Sequence, residues 1–280
     1  MTVRTRTRRG VGRTRVAAHD GLRHLSAVLA AATVLAQIAY PLTDEGRPLR
    51  LLTITTVLLF AGASVLHAAA TRGYGWALGL LVVAGGIGLA AEAVGVRTGF
   101  PFGDYAYTGT LGPEVLDVPV VVPLAWVMMA YPCLLLGRRL ARAGARRSRR
   151  GTPSSLVVVL TGGLTLAAWD VFLDPQMVAA GYWHWDDPTP ALPGVPGVPL
   201  TNYAGWILVS LVMMAVLEAV LPPGRSTAEG VPGVLLAWTW AGSTLGNAVF
   251  FDRPGVAIWG GVLMGIFVVP YLYLWWDGRP

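Results

Sequence analysis

Two aspartates, Asp170 and Asp174, lie at the end of a long apolar run, and a glutamate, Glu92, lies at the corresponding end of another. An i,i+4 spacing sets two side chains on one side of a helix. Paired carboxyls of this kind serve either of two chemistries. One is proton transfer, when a dry environment keeps a carboxyl protonated; the other is the holding of a diphosphate through magnesium. Asp252 closes a further apolar run, Asn202 opens one, and Asn247 lies about a turn inside the run that Asp252 closes, so all of these polar groups approach one face. Each carboxylate also has a plain structural reading. Asp174 precedes Pro175 and can end a helix, Asp252 can pair with Arg253, and Glu92 can pair with Arg97. Asp170 is the strongest functional candidate, because Trp169, Val171, Phe172 and Leu173 surround it and no basic residue lies within a turn. His184 stands between Trp183 and Trp185 and before Asp186 and Asp187, which suits either an interfacial histidine beside a carboxylate or an acid–base or ligand-orienting group.

The elements that must position these residues are membrane helices. Of the 280 residues, 54% are hydrophobic and only 13% charged, and the mean hydropathy is +0.58, which does not fit a water-soluble surface. Apolar runs at about 24–40, 49–70, 75–94, 119–136, 154–173, 200–221, 231–251 and 255–276 predict eight spans and leave no room for a separate soluble domain. The fold class is all-α, a polytopic membrane helix bundle with one transmembrane domain over 24–276. Residues 1–23, with seven Arg and no apolar periodicity, read as a disordered cytosolic tail; a signal peptide would show a shorter basic region and a cleavage site.

Charge supports this count independently. With the N-terminus inside, the inner segments hold 17 of the 21 Arg and the outer ones only Arg47, Arg50, Arg97 and Arg253. Both termini are therefore expected in the cytoplasm and the protein in the cell membrane, with Glu218 snorkelling near Arg225 at the inner surface. Charge placement also explains the net +6 without nucleic acid. All basic residues are Arg, so a retinal Schiff base is excluded. The single cysteine, Cys133, makes no internal disulfide, and four scattered His give no zinc pattern. Glycine pairs at 85–86, 162–163 and 260–261 predict close helix packing.

Two outer loops, 95–118 and 174–199, are rich in Trp, Tyr, Pro and Gly, as anchors or lids at a membrane face are. A weak internal repeat joins them: in each, an aromatic segment is followed by Val-Pro steps that lead into the next helix, consistent with a parallel duplication around one cavity.

These loops carry a resemblance. Pro101-Phe102-Gly103-x-Tyr105-x-Tyr107-Thr108, then Val118-Pro119-x-x-Val122-Pro123-Leu124-Ala125-Trp126-x-Met128-Met129-x-Tyr131-Pro132, resembles the carotenoid-biosynthesis membrane family of end-group hydratases, which includes the hydratase of bacterioruberin synthesis. Asp170-x-x-x-Asp174-Pro175, Gly181-x-Trp183-x-Trp185 and Gly197-Val198-Pro199-x-x-Asn202-x-x-Gly205-Trp206 match the rest of the pattern, and the likeness spans roughly 50 to 275. One departure stands out: Leu192-Pro193-Gly194-Val195-Pro196 occupies the place where the family pattern has an aromatic pair before Gly-Val-Pro, and this bears on which substrate is taken.

The resemblance implies addition of water to the terminal C=C of an acyclic carotenoid, embedded in the lipid bilayer with other enzymes of the pathway as neighbours. Such chemistry needs a protonated acid, a group holding water and aromatic faces that stabilise a tertiary carbocation. Asp170 suits the acid, and Asp174 or Glu92 the base. Tyr105, Tyr107, Trp126, Trp183, His184, Trp185, Asn202, Asn247 and Asp252 are the candidates for substrate and water contacts. No metal or organic cofactor is required. Three alternatives stay open at this point: a carotenoid cyclase, which shares the protonation step; a polyisoprenoid prenyltransferase, which uses the same DxxxD spacing but normally with a second Asp-rich motif, absent from this chain; and a non-catalytic carotenoid or lipid carrier.

Overall fold

The computed structural model describes residues 6–148, 151–223 and 229–278, with side chains from residue 19 on. Up to residue 18, the tail expected over 1–23 lies outside the described side chains. Eight helices are present among the described residues: α1 (Arg6–Ala39), α2 (Arg47–Arg72), α3 (Tyr74–Thr98), α4 (Val121–Arg147), α5 (Ser155–Ala179), α6 (Leu200–Val220), α7 (Gly230–Val249) and α8 (Pro254–Trp276). A 3-10 turn over Tyr40–Leu42 follows α1, and a lone Gly73 at φ +97° separates α2 from α3, a backbone conformation that side-chain-bearing residues rarely adopt.

Among the described residues seven helices are long and apolar enough to cross a membrane, the qualifying stretch of α1 being His19–Leu42, and the chain is an integral membrane protein. The seventh expected span, 231–251, is a helix as well, but this helix, α7, falls short of the other seven in hydropathy. Its 20 residues span about 30 Å, the thickness of a hydrocarbon core. Its hydropathy is lowered by polar and indole groups whose donors bond within the protein. Trp240 Nε1 donates to the Gly261 carbonyl at 2.9 Å, while Thr239, Thr244 and Asn247 each donate to a carbonyl one turn back.

Helix α4 is the hub. It packs against α2, α3, α5, α6, α7 and α8, and 83% of its apolar stretch is buried in protein against 33% for α2 and α3. At its arginine-bearing end, α4 ties its neighbours' C-termini. Arg138 pairs with Glu218 at 2.6 Å and donates to the Leu221 carbonyl; Arg139 pairs with Glu229 at 3.1 Å and donates to the Leu274 carbonyl at 2.8 Å. Free carbonyls at helix ends need such donors, above all near a membrane. Glu218 therefore has Arg138 as its partner; Arg225, with which it was expected to sit at the surface, lies outside the described residues.

Small residues set the helix spacing, as the glycine pairs predict. A Cβ on Gly162 would lie 3.0 Å from the Cys133 carbonyl, one on Gly163 2.8 Å from Leu211, and one on Gly260 2.5 Å from the Phe172 ring. Gly86 is the exception, with open space around it.

The only strands among the described residues are short and lie in the two long loops. The α3–α4 loop holds β1 (Tyr105–Tyr107), β2 (Glu114–Val115) and β3 (Val118–Pro119); the α5–α6 loop holds β4 (Trp183–Trp185), β5 (Ala191–Leu192) and β6 (Val195–Pro199). The element order is the same in both loops: β2 pairs with β3, β5 with β6, and the two aromatic strands β1 and β4 pair with each other, antiparallel.

Candidate functional site

Strand periodicity explains which aromatics turn inward. Successive side chains of a strand point to opposite faces. In β4, Trp183 and Trp185 are buried and His184 between them is exposed. The register sets Tyr105 opposite Trp185 and Tyr107 opposite Trp183, so the two strands present two phenols and two indoles to one cavity. Trp185 Nε1 donates to the Phe102 carbonyl at 2.9 Å, and the Asp186 N–H to the Asp104 carbonyl at 3.0 Å, fixing this aromatic roof.

Below the roof, Glu92 of α3 accepts three hydrogen bonds. Tyr105 and Tyr107 donate to Oε2 at 2.5 and 2.8 Å, and Trp126 Nε1 of α4 donates to Oε1 at 3.0 Å. Burial and the adjacent carboxylate push both phenols above the ordinary tyrosine range, so they stay protonated as donors. Arg97, the structural partner considered for Glu92, instead holds Asp117 through two nitrogens at 2.8 and 3.1 Å.

Asp170 and Asp174 share Asn202, in the first turn of α6. Its Nδ2 donates to Asp170 Oδ2 at 2.8 Å and also to Asp174 Oδ2. Helix α5 does not stop at Asp174: it continues through Pro175 to Ala179, so the helix-ending reading of Asp174 does not hold. Asp174 lines the cavity; Asp170, a turn earlier on α5, is fully buried behind it, and its Oδ1 has no hydrogen-bond partner.

The cavity has a volume of about 60 Å3, room for a handful of waters or the end of a hydrocarbon chain. Carboxyls from two sides (Glu92 and Asp174) meet there with Asn202 and the aromatic walls. Trp206, which the sequence reading left without a role, lines it too. It stacks on Trp126 with ring centroids 4.0 Å apart and planes 13° apart, and stands edge-on to Trp169. Its signal was present: Asn202 and Trp206 are i,i+4 on α6, so a polar group aimed at the site brings that indole with it.

Three candidates lie elsewhere. His184 faces outward, 3.9 Å from Asp186. Asn247 is buried in α7 and bonded to its own helix, and Asp252 occupies the α7–α8 turn at φ +51°, with no ion pair to Arg253 among the described residues. The departing segment 192–196 packs on α8, where Trp259 Nε1 donates to the Pro193 carbonyl at 3.0 Å, and does not line the cavity. Among the described residues no group of three or more His, Cys, Asp or Glu side chains is disposed to hold a metal ion.

Comparison with known proteins places the chain among carotenoid biosynthesis proteins. Over 133 residues the chain is 38% identical to the bisanhydrobacterioruberin hydratase of Haloarcula japonica, a match covering 45% of this chain and 40% of that protein. No solved structure matches the chain. A family model described as carotenoid biosynthesis protein matches residues 52–269, which include Glu92, the Asp170–Asn202–Asp174 cluster and the whole aromatic roof; the chain belongs to that family.

Proposed function

We propose that the protein is a carotenoid hydratase that adds water across the terminal C=C of an acyclic carotenoid end group. The observation that carries this reading is the meeting of the Asp170–Asn202–Asp174 cluster and Glu92 at one small, aromatic-walled cavity within a membrane protein. Two carboxyls that converge on one amide in a dry site do not both ionise readily, so the pair keeps the proton that an acid catalyst requires.

Asp174, which faces the cavity, is the proton donor in this reading, and Asp170 is its partner behind. That exchanges the roles the sequence alone favours. The proton goes to the less substituted carbon of the terminal C=C, whose π pair forms the new C–H bond. The other carbon becomes a tertiary cation among the faces of Trp126, Trp183, Trp185 and Trp206. A water oxygen then bonds to that carbon and releases a proton, which returns to the aspartate pair. One water is consumed and both carboxyls are restored. Glu92, with two tyrosine hydroxyls gathered on it, forms the polar corner that orients the water.

The small cavity with no arginine on its walls disfavours a diphosphate-using prenyltransferase. The name of the Haloarcula japonica relative favours water capture over ring closure. By the distribution of arginine, the end of the bundle bearing Arg138 and Arg139 faces the cytoplasm of the cell membrane, and the carboxylates face the other side.

Expression in a carotenoid-producing host tests the activity. Pigments that gain the mass of one or two waters support the hydratase. Unchanged mass with a new ring would replace it by a cyclase, a gained prenyl unit by a transferase, and an unaltered pigment set by a carrier.

A further inference from the structure

A second cavity, of about 380 Å3, adjoins the first. Thr53, Val57, Ala125, Leu173 and Met177 belong to the walls of both, so only side chains of α2, α4 and α5 stand between them. Its inner walls are aromatic and apolar, with Phe60 on α2, Trp169 and Phe172 on α5 and Trp238 on α7. Thr56, Gly242, Ser243 and Gly246 keep it wide. Its mouth lies where the end of α1 and the following 3-10 turn approach the end of α7. There Ile38, Leu42, Leu245 and Phe250 are 47%, 76%, 56% and 54% exposed, on a surface that in a membrane meets lipid.

We infer that this second cavity is a sideways channel for the shaft of a linear polyene, which enters from the bilayer between α1 and α7 and presents its end to Asp174 and Asn202. The inference rests on the hydratase reading above and names the path and pose of its substrate. Three observations carry it. The small cavity admits no more than a chain end, so the rest of a long substrate must lie elsewhere, and the larger one is contiguous with it. The β1–β4 roof, with Tyr105, Trp183 and Trp185 buried beneath it, covers the small cavity from the loop side. The channel walls offer ring faces on α2, α5 and α7, the surfaces on which a flat conjugated chain packs best. At 380 Å3 the channel takes part of such a chain and leaves the remainder in lipid.

The test is a binding measurement that requires no turnover. Protein in nanodiscs loaded with lycopene, an acyclic polyene, is extracted into detergent and purified, and pigment per protein is read from visible absorbance. Wild type is expected to retain pigment. Ser243→Trp, which fills the channel from α7, should retain at least about tenfold less, equivalent to about 1.4 kcal/mol of binding. Thr56→Phe fills it from α2 and removes a buried hydroxyl that has no partner, so it guards against a folding failure of the first variant. Leu208→Trp, on the lipid-facing side of α6, should retain pigment as wild type does. Gel-filtration profiles identify any variant that is not folded. Retention by the filled variants equal to wild type, equal loss in Leu208→Trp, or no retention by wild type would each overturn the channel. Failure of the hydratase reading looks different: pigment is retained normally, but no water is gained in the producing host.

Discussion

Glu92 and the aspartate pair divide the polar work of the cavity between two settings, one carboxylate surrounded by three donors and two carboxyls sharing a single amide. Asp174→Asn and Asp170→Asn keep volume and hydrogen-bonding capacity but remove the transferable proton. Each should lower hydrated product by ~100-fold or more at an unchanged level in the membrane, the lower end of what general acid catalysis supplies. Near-normal product from Asp174→Asn would remove the cavity-facing carboxyl from the mechanism. The tyrosines give a second expectation, from pH. Their folded values are raised, whereas an unfolded phenol ionises near pH ~10. Above that value the unfolded chain binds fewer protons than the folded one, so stability should fall as pH rises beyond ~10 and be insensitive to these groups below it. Thermal melting of wild type against Tyr105→Phe checks this: the variant should lose less between pH ~9 and ~11. The aspartates and Asn202 were legible in sequence because helix spacing and depth are local properties. Which aspartate faces the cavity was not legible, because that depends on the rotation of α5 against α6 and α4.

The two aromatic loops are the elements whose pairing the sequence hides. Tyr-Ala-Tyr and Trp-His-Trp each show strand alternation, which turns His184 away from its neighbours, although the sequence alone kept it among the candidates for substrate and water contacts. Their register, Tyr105 to Trp185, joins residues 80 apart in the chain, and three-residue strands carry too little pattern to announce it. Glycines behave in the same way. Sequence marks Gly85 and Gly86 as a packing pair, but the demanding contact is at Gly88, where a Cβ would lie 2.6 Å from the Trp126 ring while Gly86 faces open space. Gly88→Ala should therefore push Trp126 away from Glu92, at about 1 to 3 kcal/mol of overpacking, and reduce product by roughly tenfold or more. Gly86→Ala should leave melting temperature and product unchanged. Equal behaviour of the two variants would show that Trp126 needs no such close support.

At the scale of the whole molecule, arginine placement and hydropathy made the bundle legible, because the bilayer acts on composition alone. Of the eight runs counted in the sequence, only α7 falls short of the others in hydropathy, because it carries polar groups that are turned to internal partners and to the second cavity. With eight crossings, reporter fusions at Gly109 and Pro190 should score external and one near Arg146 internal; the reverse pattern would invert the bundle and the site with it. In the proposed hydratase, entry at the mouth beside Ile38 and Phe250 would set the kinetics. Its substrate reservoir is two-dimensional, so what governs occupancy is the pigment-to-lipid mole ratio and not the amount per volume of buffer. Diluting proteoliposomes with buffer should leave the rate per enzyme unchanged, and adding the same pigment in proportionally more lipid should slow it. In a cell, then, the flux through this step answers to how much bilayer the cell makes.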